Sequence, residues 1–331
     1  MALVIVPTAN AHTPLGPGSN ERLASATVIP DSTKSWAVYA DLHNGGEAQY
    51  YKFEATKGEQ IPITLYTSPS KQDADFLPGF VLMGPGIANQ GSVPSYVETP
   101  AGAGHRVVKG TRPAHATYEA FAPSSFVQVA DISFEAPADG LYYIAVLNDE
   151  RGGHYGVAIG ARESSTLYEW IVNPLAFPSI YAWEGQRLSL VFTPAFLILA
   201  LGLGLLIRRH RRGRRLDLAG WLAASAGLLF MGSGATVASQ MAVSLLRAPA
   251  DTLVIFTVII AALPVLLGVI TLRLAIRRSG QWNWRSRIFL AFLSGAALLF
   301  WAGWLVGSGL AITAAFVPAQ AAPKAPLGGA A

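Results

Sequence analysis

The sequence predicts an all-β extracytoplasmic sandwich, antiparallel and Ig-like or jelly-roll-like, followed by an α-helical bundle of four transmembrane spans. Three observations predict it. Hydrophobic residues make up 52% of the 331 residues and charged ones 13%, against about 25% charged in a soluble domain. Short alternating apolar runs between Gly-rich turns fill residues 35–161, and long apolar runs fill 188–317. Charge divides at the same place: residues 1–188 carry 11 Lys and Arg against 18 Asp and Glu, and 189–331 carry 13 against 2. The length suits about two domains.

The elements follow in order. Met1–Thr8 is mostly apolar, and Ala9-Asn10-Ala11 has the small-residue spacing of a signal cleavage site, so residues 1–11 are read as the remnant of a signal peptide. Residues 12–163 form the extracytoplasmic domain. Its strands are expected at 35–42, 48–55, 60–66, 79–83, 126–134, 141–147 and 155–159, all rich in Val, Ile, Tyr and Phe. Turns are expected at His43-Asn44-Gly45-Gly46, Thr56-Lys57-Gly58, Ala138-Asp139-Gly140 and Arg151-Gly152-Gly153. The stretch from Pro85 to Ser125 is long and rich in Gly, Pro, Ala and Ser; such a loop is functional or covers a sheet edge. The domain is long enough to bury its own core, so it is expected to fold alone.

The segment from Glu47 to Ile61, with Tyr50-Tyr51-Lys52-Phe53 and a turn at Gly58, resembles the bacterial pre-peptidase C-terminal domain. Ala138-Asp139-Gly140-Leu141-Tyr142-Tyr143-Ile144-Ala145-Val146 with Gly153-His154-Tyr155-Gly156-Val157 is similar to that family's closing hairpin, and Asn20 to Ala26 fits its opening. The resemblance covers roughly residues 19–161 and departs from the family in the long 85–125 insertion. It implies a non-catalytic accessory domain that binds polymers, proteins or cell-surface material.

Residues 164–187 hold Tyr168, Trp170, Phe177, Tyr181 and Trp183, interrupted by Pro174 and Pro178. Aromatics concentrate at headgroup depth, so this is read as an interfacial linker; the alternative is a last helix docked on the domain. Four stretches then reach the roughly 20 apolar residues that a span needs: Leu188–Ile207, Leu218–Val243, Thr252–Leu274 with a kink expected at Pro264, and Ile288–Val317. Arg208, Arg209, Arg211, Arg212, Arg214 and Arg215 occupy the first connection; Arg273, Arg277, Arg278, Arg285 and Arg287 flank the third. The connection Ser244–Asp251 balances Arg247 against Asp251. The positive-inside rule therefore predicts a multi-pass protein of the cell membrane. The Arg-rich loops 208–217 and 273–287 are cytoplasmic, and the N-terminal domain and the C-terminus are extracytoplasmic. The Pro/Ala/Gly tail 318–331, with Lys324, is expected to be disordered.

The basic runs explain the net charge of +4 without a nucleic-acid partner; an RNA-binding arm or an anionic-lipid site is the rival reading. The absence of cysteine excludes disulfide scaffolds, zinc ribbons, iron–sulfur clusters, thiol catalysis and c-type haem attachment. The spans contain no Asp, Glu or His, which argues against proton relays, carboxylate ion sites and membrane haem. Gln240, Ser233 and Ser239 are read as interhelical hydrogen-bonding groups, and Gly303 with Gly307 as a close-packing motif. No GxSxG, P-loop or dinucleotide motif is present, so no catalytic residue and no enzyme are predicted.

One metal candidate remains. Cleavage after Ala11 would give His12 a free amine beside its own imidazole, a chelate suited to Cu(II). His43, His105, His115 and His154 are read as scattered turn and loop histidines, and Asp73 and Asp75 as a solvated acidic loop rather than a calcium site. The function predicted is a membrane-anchored extracytoplasmic binding or assembly protein, an accessory subunit with protein partners and the lipid bilayer. Its alternatives are a copper-handling or redox protein built on His12, and a small transporter or channel.

Overall fold

The computed structural model describes residues 12–164, 166–278 and 280–318. The signal-peptide remnant 1–11 and the tail beyond Pro318 lie outside the described residues. The chain forms two compact units: Met1–Val191 with Ser239–Thr257, and Phe192–Ala238 with Val258–Ala331.

The first unit is the β-sandwich that the sequence predicts. Its strands are β1 (Thr13–Leu15), β2 (Thr27–Val28), β3 (Trp36–Leu42), β4 (Glu47–Ala55), β5 (Gln60–Thr67), β6 (Gly79–Gly84), β7 (Gly104–Val108), β8 (Thr117–Glu119), β9 (Ser124–Glu135), β10 (Gly140–Asn148) and β11 (Gly153–Ile159). One sheet runs β1-β3-β11-β5-β9-β8 and the other β2-β4-β10-β6-β7. Alternation sends one set of side chains inward from each strand. Val38, Ala40 and Leu42 of β3, Ile61, Ile63 and Leu65 of β5, and Tyr155, Val157 and Ile159 of β11 meet Tyr51 and Phe53 of β4 and Tyr142, Ile144 and Val146 of β10. Two hydroxyls at the centre of this core are paired: Tyr155 donates to Gln49 Oε1 at 2.5 Å and its oxygen lies 2.6 Å from the Tyr51 hydroxyl.

The structure departs from the expected sandwich at its rims. The pairing is not wholly antiparallel, because β1 and β2 join β3 and β4 in parallel. They are three and two residues long, too short for alternation to mark a strand. The 85–125 insertion supplies β7 and β8, and its Val93, Tyr96 and Val97 pack against the outer face of the second sheet, on Tyr50, Val81, Met83 and Ala145. Asp73 is not solvated: it is buried, its Oδ2 lies 3.0 Å from His154 Nδ1, and Ser70 Oγ donates to the same oxygen. His105 and His154 stand on strands β7 and β11 rather than in turns.

After the sandwich come α1 (Leu167–Val172), α2 (Phe177–Trp183) and α3 (Leu188–Val191). A capping box opens α1, with Thr166 accepting from Glu169 N while Glu169 accepts from Thr166 N. At the end of α2, Trp183 packs edge-on against Tyr39 and Tyr66 and donates its indole N–H to the carbonyls of Ala40 and Tyr155. This end of the linker is docked on the sandwich, while Leu167 and Tyr168 are exposed.

Among the described residues, three helices are long and apolar enough to cross a membrane: α4 (Thr193–Arg211), α5 (Leu218–Leu245) and α6 (Val254–Arg278). Pro264 lies inside α6, which continues through it. The stretch expected to be a fourth single span is divided. α7 (Trp284–Leu299) and α8 (Val306–Phe316) form an antiparallel hairpin, with Ser294 Oγ donating to Ser308 O and Arg287 donating to the carbonyls of Ala315 and Val317. The helix breaks where Trp301, Gly303, Trp304 and Leu305 all take positive φ. Gly303 N donates to Ser233 Oγ, and Gly303 and Gly307 lie against the Phe230 ring. At 16 and 11 residues, the halves reach about 24 and 16 Å, short of a hydrocarbon layer of about 30 Å. Val317 thus ends beside Arg287, not at the opposite end of the bundle where one straight span would put it.

Candidate functional site

The residue singled out by sequence, His12, opens onto a pocket of about 320 Å³ on the outer face of the six-stranded sheet. Five of the six strands of that sheet line it, and His12 stands just ahead of the sixth. His12 sits just before β1, Tyr39 stands on β3, Thr64 and Tyr66 on β5, Glu119 on β8, Phe126 and Asp131 on β9, and Ala158 on β11.

Local sequence explains why these groups converge. The β5–β9 register shifts between Leu65 and Tyr66, and a bulge of this kind re-aims the side chains beside it. Tyr66 then lies over Gly156, where any side chain would overlap its ring. Its neighbours are aromatic: Tyr39 meets it edge-on with centroids 5.8 Å apart, and Phe126 lies 5.0 Å away. The Tyr66 side chain is buried, and its hydroxyl lies at the pocket wall with the Tyr39 hydroxyl as its neighbour.

Burial sets the state of two further groups. Burial pushes the Glu119 carboxyl up to about 7, against the opposing bond it accepts from Phe121 N at 3.0 Å. Burial lowers the His12 imidazole to about 4, so it is neutral near pH 7; Nδ1 lies 2.5 Å from Ser35 Oγ. Asp131 accepts from Thr64 Oγ1 at 3.0 Å. The pocket therefore offers a neutral imidazole, a carboxyl that ionises near pH 7, a phenol and an aromatic wall. It can hold a small polar molecule by hydrogen bonds. Concentrated pKa perturbation inside one concavity is the physical mark of a binding site.

The copper reading of His12 fits less well. No group of three His, Cys, Asp or Glu residues that could hold a metal occurs among the described residues. His43 lies near Asp41 and Glu47, His105 reaches the Gly91 carbonyl, and His154 is held by Asp73. None of them joins His12. Sequence reasoning missed Tyr66 and Glu119; the available signal was Gly156, an isolated glycine inside an apolar strand.

A second buried carboxyl lies apart from the pocket. Glu184 accepts from Ser125 N at 2.8 Å and Gln186 Nε2 at 2.6 Å, and Arg247 lies 3.4 Å away. Burial holds it up at about 6. On the same unit, Tyr118 donates to Thr257 Oγ1 at 2.7 Å, and Phe121 packs on Phe256. The connection between α5 and α6 is thus part of the β-unit.

A scan with family models returns no match, and a comparison with curated proteins returns none. Among solved structures, the chain is similar to the pre-peptidase C-terminal domain of a collagenase from Bacillus anthracis, at 17% identity and a TM-score of 0.22, covering 40% of this chain and 93% of that one. It is also similar to CorA, a surface-associated copper-binding protein of Methylomicrobium album BG8, at 12% identity and a TM-score of 0.22, covering 42% and 98%. A third is the secreted protein MopE of Methylococcus capsulatus, at 14% and 0.18, covering 35% and 70%. The family met first is the one the sequence resembles. No function is transferred from these likenesses.

Proposed function

We propose that the chain is a membrane-anchored binding protein whose sandwich lies outside the cytoplasm and captures a small polar ligand in the Tyr66–Glu119 pocket. The observation that carries this reading is the concavity itself, where His12, Tyr66 and Glu119 are brought together on one face of the sheet. The sidedness is supported by two facts. The connection 239–257 belongs to the same unit as the sandwich, and both arginine loops belong to the other. Role and partners follow the same logic: a sandwich on an anchor is an accessory subunit that delivers or presents what it binds within a larger membrane complex.

The full chain, solubilised from its native membrane, tests this by native mass spectrometry. A retained small molecule, lost in Tyr66→Phe and Glu119→Gln, is the expected result; a free monomer carrying neither ligand nor partner ends the proposal. Cu(II) titration of the same preparation, with His12→Ala beside it, separates the copper alternative. Sidedness is read with single cysteines, since the chain has none of its own. Ser92→Cys should label in intact cells, while Arg212→Cys and Val317→Cys should label only after permeabilisation. A second reading, transport, is favoured by the divided α7–α8 stretch alone, because broken helices line pathways in transporters. Solute uptake into vesicles loaded with the protein would support it.

A further inference from the structure

The helical unit holds eleven arginines, in the 208–215 and 273–287 runs, and one carboxylate among its described residues, Asp217. Sidedness explains why arginines are there. It does not explain how Asp217 is used. Its Oδ1 accepts from Gly220 N at 2.8 Å and from Trp282 Nε1 at 3.3 Å, and its Oδ2 accepts from Gly280 N at 3.1 Å. One carboxylate therefore ties the loop after α4 to the loop after α6. Beside it, Leu216 N donates to His210 Nδ1 at 3.1 Å and closes the first loop on itself. The result is a preformed pocket of about 560 Å³, lined by His210, Arg211, Arg215 and Asp217.

Two observations indicate what this pocket takes. Arg211 and Arg215 line the pocket in a unit with eleven arginines and one described carboxylate, so its charge suits an anion. Leu197, Leu201 and Leu205, spaced four apart on α4, are all exposed, and this apolar stripe runs up to Arg208. A soluble anion has no use for such a stripe, whereas an acyl chain does. We propose that the pocket is a site for the phosphate headgroup of an anionic phospholipid, whose chains lie along α4. Arg211 and Arg215 supply charge-assisted hydrogen bonds to the phosphate oxygens, and Asp217 is a positioning residue that holds the two loops together.

The test uses the full chain in detergent micelles, with phosphatidylglycerol, phosphatidylcholine and inorganic phosphate as probes. Native mass spectrometry counts retained lipid, and a thermal melt confirms that each variant is folded. Phosphatidylglycerol should be retained over phosphatidylcholine. Arg211→Gln with Arg215→Gln should weaken retention about twenty-fold. Arg277→Gln with Arg278→Gln, which removes the same charge outside the pocket, should change it little. Asp217→Asn is the most telling: it makes the unit more positive, so general electrostatics predicts tighter binding, whereas a built pocket predicts weaker binding. Equal losses in both arginine pairs, or tighter binding by a folded Asp217→Asn, would overturn the site. Displacement of the lipid by millimolar inorganic phosphate would overturn its assignment to a lipid.

Discussion

The two units bury themselves with different residues. The largest fully buried side chains of the sandwich are Tyr50, Tyr51, Phe53, Phe76, Phe80, Tyr142 and Tyr155. The interior of the helical unit is mostly alanine: Ala219, Ala223, Ala224, Ala226, Ala275, Ala297, Ala311 and Ala314. At its tightest crossing two glycines face each other, and a Cβ on Gly227 would come within 2.8 Å of the Gly268 carbonyl oxygen. In water, large apolar and aromatic surface is worth burying for its own sake. In lipid no such drive separates protein from solvent, so helices gain by close approach, and small residues permit it. The difference between the cores is thus a statement about solvent, made before any membrane is present.

Substitutions can break this contrast. Phe53→Ala should have the largest effect, about 3–5 kcal/mol off the sandwich, read as a fall in its melting transition. It should leave the helical signal of the detergent-solubilised protein intact. Gly227→Val should do the reverse, costing about 1–3 kcal/mol by forcing α5 and α6 apart, with the sandwich transition unmoved. Gly309→Val is its control, since open space surrounds that position. If Gly227→Val and Gly309→Val behave alike, the close-approach account of the helical core fails.

The smallest effect sharpens the contrast within the sandwich, where polar groups share the interior. The folded state keeps a proton on Glu119 up to about pH 7, whereas an ordinary carboxyl releases it near 4.5. Stability should therefore fall as pH rises from about 4.5 to 7 and level off above. His12 acts at the other end: held at about 4 against an ordinary 6.5, it should cost stability as pH drops from 6.5 to 4. Glu119→Gln should flatten the first slope and His12→Ala the second, in melts of the whole protein across pH. A Glu119→Gln profile that still declines between pH 5 and 7 would place the titrating group elsewhere, with Glu184 the next to examine.

All seven expected strands were legible, because alternation with period two and Gly turns are local signals. β1, β2, β7 and β8 were not, being short edge strands whose pairing is decided by partners far along the chain. The divided hairpin left a trace in its length: residues 288–317 exceed the roughly 20 needed for one span, and Trp301, Gly303 and Trp304 sit at their middle. The pocket was hardly legible. His12 was named for its position behind a small-residue motif, whereas Tyr66 and Glu119 acquire meaning only when six strands bring them to one face. The arginine runs were visible at once, but that Asp217 joins them was not, since its partners Gly280 and Trp282 lie more than sixty residues away.

The docking of residues 239–257 on the sandwich has a consequence for biosynthesis. The ribosome finishes all eleven strands before it has made either Arg247 or Thr257, the partners of Glu184 and Tyr118. A domain emerging first therefore lacks the Arg247 guanidinium beside its buried Glu184 carboxyl, and the Thr257 hydroxyl for Tyr118, until the 239–257 segment has been made. A fragment ending near residue 191 would stay at that stage. The sandwich is therefore not a removable head on a stalk: two of its buried polar contacts are supplied by a segment made long after its last strand.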